Sequence, residues 1–484
     1  MRYLDKEIVI GDMAMREQEK IAVDVKIAYI GGGSRGWAWG LMSDLASCED
    51  MSGRVDLYDI DFEAAYQNEI IGNKYNDVEG AKSHWDYKAV KTIDEALTGA
   101  DFVVISILPG TFDEMESDVH APEKYGIYQP VGDTVGPGGI VRALRTVPMF
   151  EVIAKAIEKN CPDAWVINYT NPMTLCVKTL YSTFPKIKAF GCCHEVFGTQ
   201  LFMAKMLTEA TGIYLKDRAE IKTNVLGINH FTWVTKAQYR DIDLYPIYRD
   251  YVAKNKNEGL RDKADNNWMN KGFTTMECVK MDLFSRYGYV AAAGDRHLAE
   301  FCEANWYLGS PDRVHRWKYV LTTVDERREG LKERIEKGQK LMSGEEKCEL
   351  NNTGEEGVEQ MRALLGLREL VTNVNVPNMG QIPNLPLGAV VETNAVFRSN
   401  SVEPVFAGPI PEPIYPLITR ICGEQEVVAR ATKERDLELA FQAFCNDPLV
   451  TIDHEQAREL FTEMLDNTSK YLDMYDIEGW KNIK

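Results

Sequence analysis

The sequence predicts an α/β fold, a doubly wound parallel sheet followed by a mixed, largely helical α+β C-terminal domain. Three observations carry that expectation. Continuous apolar runs of strand length recur through the N-terminal half, segments with helical spacing separate them, and the first run breaks into a glycine turn. Strands buried on both faces read as unbroken apolar runs, and their alternation with helices is the pattern of a parallel sheet.

Taken in order, residues 1–24 form a polar extension ahead of the first packed strand. Its opening, MRYLDKEIVIGDMAMREQEK, carries acids throughout and lacks the apolar core of a secretory signal. VKIAYI (25–30) is a buried strand that ends in GGGSRG (31–36), and RVDLYDI (54–60) is a second that ends in acids. DFVVISIL (101–108) is bounded by Pro109-Gly110, and AWVINYT (164–170) and IKAFGCC (187–193) repeat the pattern behind helices such as TVPMFEVIAKAIEKN. From about residue 220 the rhythm changes. EIKTNVLGINHFTWV (220–234) is strand-like, polar helices follow around 252–350, and VNVPNMGQIPNLPLGAVVE (374–392) is irregular or strand-like. The C-terminal stretch from GEQEVVARATKERDLELAFQAF onward has helix-period spacing. The expected division is therefore 25–219 as a Rossmann-type dinucleotide-binding domain, of the lactate and malate dehydrogenase kind, and 220–484 as the domain for substrate, catalysis and subunit contacts.

Composition excludes several classes of function. The 484 residues are 45% hydrophobic and 27% charged, with 22 Tyr, 17 Phe and 9 Trp, which is too much core-forming material for a disordered chain. A net charge of −19 repels phosphate backbones, so no nucleic-acid partner is expected. No run of about 18 apolar residues suggests a membrane span. The ten cysteines are scattered through a long chain, which reads as reduced thiols in a cytoplasm.

Gly31, Gly33 and Gly36, with Ser34 between them, fit G-x-G-x-x-G between a strand and a helical pattern. Such glycines allow a tight turn, and the helix N-terminus behind them meets a pyrophosphate. Asp59 ends the next strand, where an acid accepts from a ribose diol and favours NAD over NADP; its neighbour Asp61 is the alternative. Three further clusters follow apolar segments, at the carboxyl edge where such sheets bind ligands: Asn168-Tyr169-Thr170-Asn171-Pro172-Met173, Cys192-Cys193-His194-Glu195 and Gly227-Ile228-Asn229-His230. A thiolate from Cys193 and an imidazole from His230 would suit a transition metal with open positions for substrate and water. Cys193 and His230 are 37 residues apart, and spacing alone favours a buried cysteine and a structural histidine over a metal pair. A net NAD-dependent hydroxy-acid dehydrogenase shares these dinucleotide features, but about 300 residues suffice for one.

From Lys26 to the C-terminal helices the chain resembles glycoside hydrolase family 4, the NAD- and metal-dependent glycosidases. The resemblance rests on the glycine turn, VGPGGI (135–140), NPM (171–173), Cys193-His194, GINH (227–230), VNVPNMGQIPNLP and NDPLV. The tetrad Cys193-His194-Glu195-Val196 resembles the branch acting on α-galacturonides; α-glucuronidase and α-galactosidase are the alternatives within the family. The resemblance implies a redox-neutral glycosidase requiring NAD and a divalent metal, generally manganese. Hydride leaves carbon 3 of the sugar, a base takes the proton from carbon 2, the aglycone is eliminated, water adds and the hydride returns. It further implies Cys193 and His230 as metal ligands, His194 as the acid assisting departure, Asn171 on substrate hydroxyls, and Asn168 and Ser106 on the cofactor side. The base maps into YGYVAAAGDRHLAEF (287–301), with Asp295 first and Tyr289 and His297 as alternatives. Phospho-sugar members carry a basic residue where this chain has Asp113, Glu114, Glu116 and Asp118, so phosphorylated sugars are disfavoured. A uronate carboxylate still needs a cation, and Arg142, ahead of Arg145, is the expected reader. A cytoplasmic homodimer or homotetramer is the implied assembly.

Overall fold

The computed structural model describes residues 2–6, 19–260, 275–351 and 353–482. Its strands, in chain order, are β1 (Arg2–Lys6), β2 (Glu19–Ile30), β3 (Met51–Tyr58), β4 (Trp85–Val90), β5 (Phe102–Ile105), β6 (Trp165–Asn168), β7 (Lys188–Gly191), β8 (Ile221–Ile228), β9 (Phe231–Tyr239), β10 (Ile242–Asp243), β11 (Val290–Ala291), β12 (Leu370–Pro377), β13 (Val390–Arg398) and β14 (Ser401–Pro404). The large sheet runs β14-β13-β12-β7-β6-β5-β2-β3-β4, with β1 antiparallel on β2. From β4 to β7 all pairings are parallel. This is the doubly wound order, and its topological switch point falls between β2 and β5.

The expected strands are present because each buries both faces. Tyr29, Val55, Leu57, Phe102, Val104 and Phe190 pack on one side, toward the helices Trp37–Ser47 and Gly357–Leu364. Ala28, Ile30, Val103, Ile105, Val166 and Ala189 pack on the other, toward Gly136–Asn160 and Met173–Thr183. Three features differ from the expectation. β4 was hidden in a stretch read as helical; it alternates buried Trp85, Tyr87 and Ala89 with exposed Asp86 and Lys88, the signature of an edge strand rather than a central one. Part of the polar extension is strand, since Arg2–Lys6 pairs with Glu19–Val23 and Ala22 is fully buried; residues 7–18 of that expected extension lie outside the described residues. β12, β13 and β14 return from the C-terminal half to extend the first sheet through the Asn375–Gly191 pairing.

The second sheet, β8 to β11, is antiparallel and shares a core with the helices Tyr415–Glu434, Leu437–Asn446 and His454–Asn467. The long helix Gly136–Asn160 joins the two cores, with Ile140, Val141, Leu144 and Val147 in the C-terminal one and Phe150, Ile153, Ala154 and Ile157 against the sheet. Glycine is obligatory at its start. A Cβ at Gly138 would stand 2.6 Å from the Asp118 carbonyl oxygen and one at Gly139 2.4 Å from the Thr134 carbonyl carbon.

The same helix carries Arg145, whose side chain is completely buried. Its Nε donates to the Pro109 carbonyl at 2.8 Å and both terminal nitrogens to the Asp118 carboxylate, itself completely buried. Removing one partner of such a pair strands the other charge in low dielectric. Asp118→Ala should therefore cost about 3–5 kcal/mol in urea unfolding, whereas Glu403→Ala on the exposed edge strand should stay within about 0.5 kcal/mol.

Candidate active site

The carboxyl ends of β2, β3 and β5 build the first half of the site. Gly31 and Gly32 donate their amides to the Tyr58 carbonyl at 2.9 Å, and Gly33 donates to Asp59 Oδ2 at 2.9 Å. Gly31 has φ 93°, and a Cβ there would lie 2.0 Å from the Ser106 carbonyl oxygen, so the turn sits directly on the end of β5. Buried Asn68 ties the turn from below, donating to the Gly32 and Ser34 carbonyls at 2.8 and 3.0 Å. Gly36 is the N-cap of Trp37–Ser47 and supplies no side-chain cap, so the first amides of that helix are open to an anion. Burial pushes the Asp59 carboxyl up, opposed by the Asp61 and Gly33 amides and by Arg35. The structure thus gathers Gly31, Gly33, Ser34, Gly36, Asp59 and Ser106 into one crevice at the switch point, and these residues fit a dinucleotide. Asn168 ends β6 and spends its amide on its own turn, donating to the Thr170 carbonyl at 2.9 Å and accepting from the Thr170 amide at 3.0 Å.

The second half comes from a loop, a hairpin and a short helix. β8 and β9 are joined by the two residues Asn229 and His230, and His230 takes φ 63° in that turn. Its imidazole stacks on His297 with ring centroids 3.7 Å apart. Asp133, His230 and His297 each offer one ligand atom, all within 4.8 Å of one another. The hydrogen bonds fix the tautomer. Thr134 Oγ1 gives its proton to Asp133 Oδ1 at 2.7 Å, so it accepts from His230 Nδ1 at 3.0 Å and leaves Nε2 with a free lone pair. Burial, with His297 beside it, holds His230 down to about 3, and burial lowers His297 too. Burial would raise Asp133, but His297, His230 and Arg142 hold it well below the carboxylate range. Among the described residues, His297 Nδ1 and Asn171 Oδ1 are buried and find no hydrogen-bond partner. One carboxylate, two neutral imidazoles and unsatisfied polar atoms fit a divalent cation.

Models of the family 4 glycosyl hydrolase and of the family 4 glycosyl hydrolase C-terminal domain match residues 26–209 and 225–450. The chain belongs to that family. An α-galacturonidase of Thermoanaerobacterium saccharolyticum is 61% identical over 467 residues, 96% of this chain and 99% of the relative. A Bacillus subtilis structure described as a putative glucosidase is 52% identical with TM-score 0.87, covering 92% of this chain and 100% of that one. A 6-phospho-α-glucosidase from gut microorganisms, solved in complex with NAD and Mn2+, shares the fold at 20% identity and TM-score 0.76, over 93% of this chain and 99% of its own.

The remaining residues of this glycosidase fall into place around the two halves. The Cys193 thiol is buried at the end of β7, outside the Asp133, His230 and His297 group. Burial pushes it well up, with the Glu392 and Glu195 charges adding to that and Asn229 bonding to it. His194 is half exposed and its Nδ1 lies 3.0 Å from Glu355 Oε1. Asp295 is fully buried at the start of the helix Asp295–Glu300, accepts the Lys280 amide at 3.0 Å, and is pushed up to about 7 by burial and by Glu277. Tyr289 is half buried against the C-terminal core. Asn171 donates to Asp133 Oδ2 at 3.1 Å and its carbonyl accepts Arg142 Nε at 3.2 Å. Arg145 is committed to Asp118, which removes it as a ligand reader. The acids expected to repel a phosphate are also engaged: Asp113 and Glu116 each lie 2.9 Å from Arg328, so that stretch is a set of salt bridges and not a bare anionic field.

Asp133 was missed in the sequence. Its signal was an acid just ahead of a glycine-rich helix start, and nothing local pairs it with His230. Chelator-treated protein should gain thermal stability on addition of Mn2+. Asp133→Asn and His297→Ala should each weaken Mn2+ binding at least about tenfold, or about 1.4 kcal/mol, by calorimetry.

Proposed function

We propose that the chain hydrolyses α-galacturonides without net redox change, with NAD and a divalent cation, manganese in this reading, as its cofactors. The observation that carries the proposal is the meeting, at adjoining strand ends, of a dinucleotide turn and a group of one carboxylate and two neutral imidazoles. The name of the 61% identical relative supports the sugar class. When bound, NAD supplies reversible hydride acceptance at carbon 3 and the cation supplies polarisation of the sugar oxygen there.

The chain's own groups do the rest. The Gly31–Gly36 turn and the open helix N-terminus receive the pyrophosphate, Asp59 accepts from the ribose diol, and Ser106 and Asn168 shape the nicotinamide end. His230 is proposed as a cation ligand together with Asp133 and His297, and Cys193, buried outside that group, is proposed as a further ligand that would have to give up its thiol proton. His194, held at Nδ1 by Glu355, presents Nε2 to the departing oxygen. Asp295 takes the carbon 2 proton, for which a carboxyl brought up to about 7 is suitably basic. Asn171, with a free Oδ1, receives a sugar hydroxyl. Among the described residues Arg142 engages its Nε alone, on the Asn171 carbonyl, and it offers its terminal nitrogens to the carboxylate.

In this proposal residues 25–219 hold the dinucleotide and 220–484 supply catalytic groups and subunit contacts in a cytoplasmic homodimer or homotetramer. Among the described residues no helix is long and apolar enough to cross a membrane.

With NAD+, Mn2+ and a thiol reductant, α-galacturonides should release galacturonate with catalytic NAD and no net rise in NADH absorbance. Stoichiometric NADH would instead mark a net dehydrogenase. A deuterium label at carbon 2 should wash out into water during turnover, and its retention would rule out the elimination route. Asp59→Ala should raise the Kd for NAD at least about tenfold. Arg142→Met should raise KM for galacturonides far more than for neutral galactosides.

A further inference from the structure

One carboxylate that the sequence reading left without a role joins the strand ends that carry Cys193 and His230. Glu392 is 1% exposed, near the start of β13, where it stands opposite Asn375 of β12. Its Oε1 accepts from Asn373 Nδ2 at 2.6 Å and its Oε2 from Asn229 Nδ2 at 3.3 Å. Asn373 Nδ2 also donates to the Cys193 carbonyl at 3.2 Å, and Asn375 Nδ2 lies 3.5 Å from the carbonyl oxygen of Gly191 in β7. Asn229 is the residue before His230 in the two-residue turn between β8 and β9. Two positions along β13, Asn394 Nδ2 donates to the Thr223 carbonyl of β8 at 2.5 Å, so the same face of the strand meets the hairpin twice.

Burying a carboxyl inside a sheet is costly unless its oxygens find donors, and an apolar residue would fill the place without that cost. What the carboxylate supplies is two acceptors on one rigid plane. Each is taken by a side chain that adjoins a residue assigned to the cation. The His230 imidazole is fixed from its other side by Thr134, and the His230 backbone holds φ 63°, a conformation that its surroundings have to maintain. Cys193 packs with Val390, two residues ahead of Glu392 on β13. The thiol and the imidazole come from different sheets, and Glu392 is the group to which both strand ends are tied.

We propose that Glu392 is a positioning residue for the cation site: through Asn229 and Asn373 it fixes the distance and direction between the His230 turn and the Cys193 strand end. This rests on the reading above in which Cys193 and His230 are cation ligands. Groups that orient metal ligands from behind are worth about 10- to 100-fold in metal affinity, so the effect belongs to binding itself and not only to turnover.

The test compares wild type, Glu392→Met and Glu392→Gln as full-length protein stripped of metal. The readouts are the Kd for Mn2+ by calorimetry, the thiolate-to-cobalt charge-transfer absorption when Co2+ is added instead, and the Kd for NAD measured without metal. Glu392→Met should weaken Mn2+ binding about tenfold or more and diminish the cobalt band, with NAD affinity unchanged. Glu392→Gln, which keeps one acceptor oxygen, should recover part of both. Wild-type Mn2+ affinity in Glu392→Met would overturn the proposal, and so would a loss matched by an equal loss of NAD affinity, the mark of general loosening. If Glu392→Met does not fold, wild-type Mn2+ affinity in both Asn229→Ala and Asn373→Ala would overturn it equally. A wild type with no thiolate band would remove Cys193 from the ligand set and defeat the reading, while a tenfold loss of Mn2+ affinity in Glu392→Met would still uphold the role of Glu392 behind His230. A full-strength band with undiminished Mn2+ affinity in every variant would leave Cys193 a ligand and defeat this proposal alone.

Discussion

The site depends on one close contact, the seating of the 129–134 chain on the first turn of the helix Gly136–Asn160. Glycines 138 and 139 permit it by leaving no Cβ between the helix and the backbone of Asp118, Gly132 and Thr134. Gln129 locks it by accepting the Gly138 amide and donating to the Val135 carbonyl, both at 2.9 Å. The clamps on this N-terminal segment come from the other half of the chain. Glu300 takes the Val131 and Gly132 amides, Arg296 holds the Pro130 carbonyl, and Asp447 caps the helix through the Gly136 amide at 2.8 Å. Asp133 can meet His230 because both halves pin the loop that carries it.

That arrangement explains what could be read from the sequence. The glycine turn, Asp59 and the strands before them are local: a run of apolar residues, a break and an acid at the next strand end suffice. β12 and β13 were obscured by buried polar residues. Asn373 donates to Glu392 Oε1 at 2.6 Å and Asn375 pairs with Gly191, so asparagines that look like loop residues sit inside a sheet. Asp133 was not legible because its meaning is a meeting with His230 and His297 from two other elements, and no spacing encodes it. His297 could be named only as one of several candidates in its segment, since its stacking on His230 exists only after β8, β9 and the helix Asp295–Glu300 have packed.

The acids at 113–118 show how a composition argument can mislead. Read as a string they are an anionic patch; in the fold Asp118 neutralises Arg145 and the Arg328 guanidinium gathers Asp113 and Glu116. An exclusion of phosphorylated sugars cannot rest on repulsion from charges already spent. It has to rest on the shape and charge of the crevice around Asp133.

The same distinction settles which electrostatic scale matters. The chain carries −19 overall, a field that opposes any anionic sugar at a distance. Ionic screening reduces that field within about 8 Å at physiological salt, whereas buried charges are screened far less. In the proposed reading, binding of a uronate is governed by the buried Arg142 guanidinium beside Asn171 and not by the acidic exterior. Protein groups that are already ordered lose little on binding, because the packing that seats the Asp133 loop also fixes Arg142. In the proposed reading, selectivity for a carboxylate follows from the same contact that assembles the candidate cation group, and the two could not be tuned independently without disturbing the loop and helix start they share.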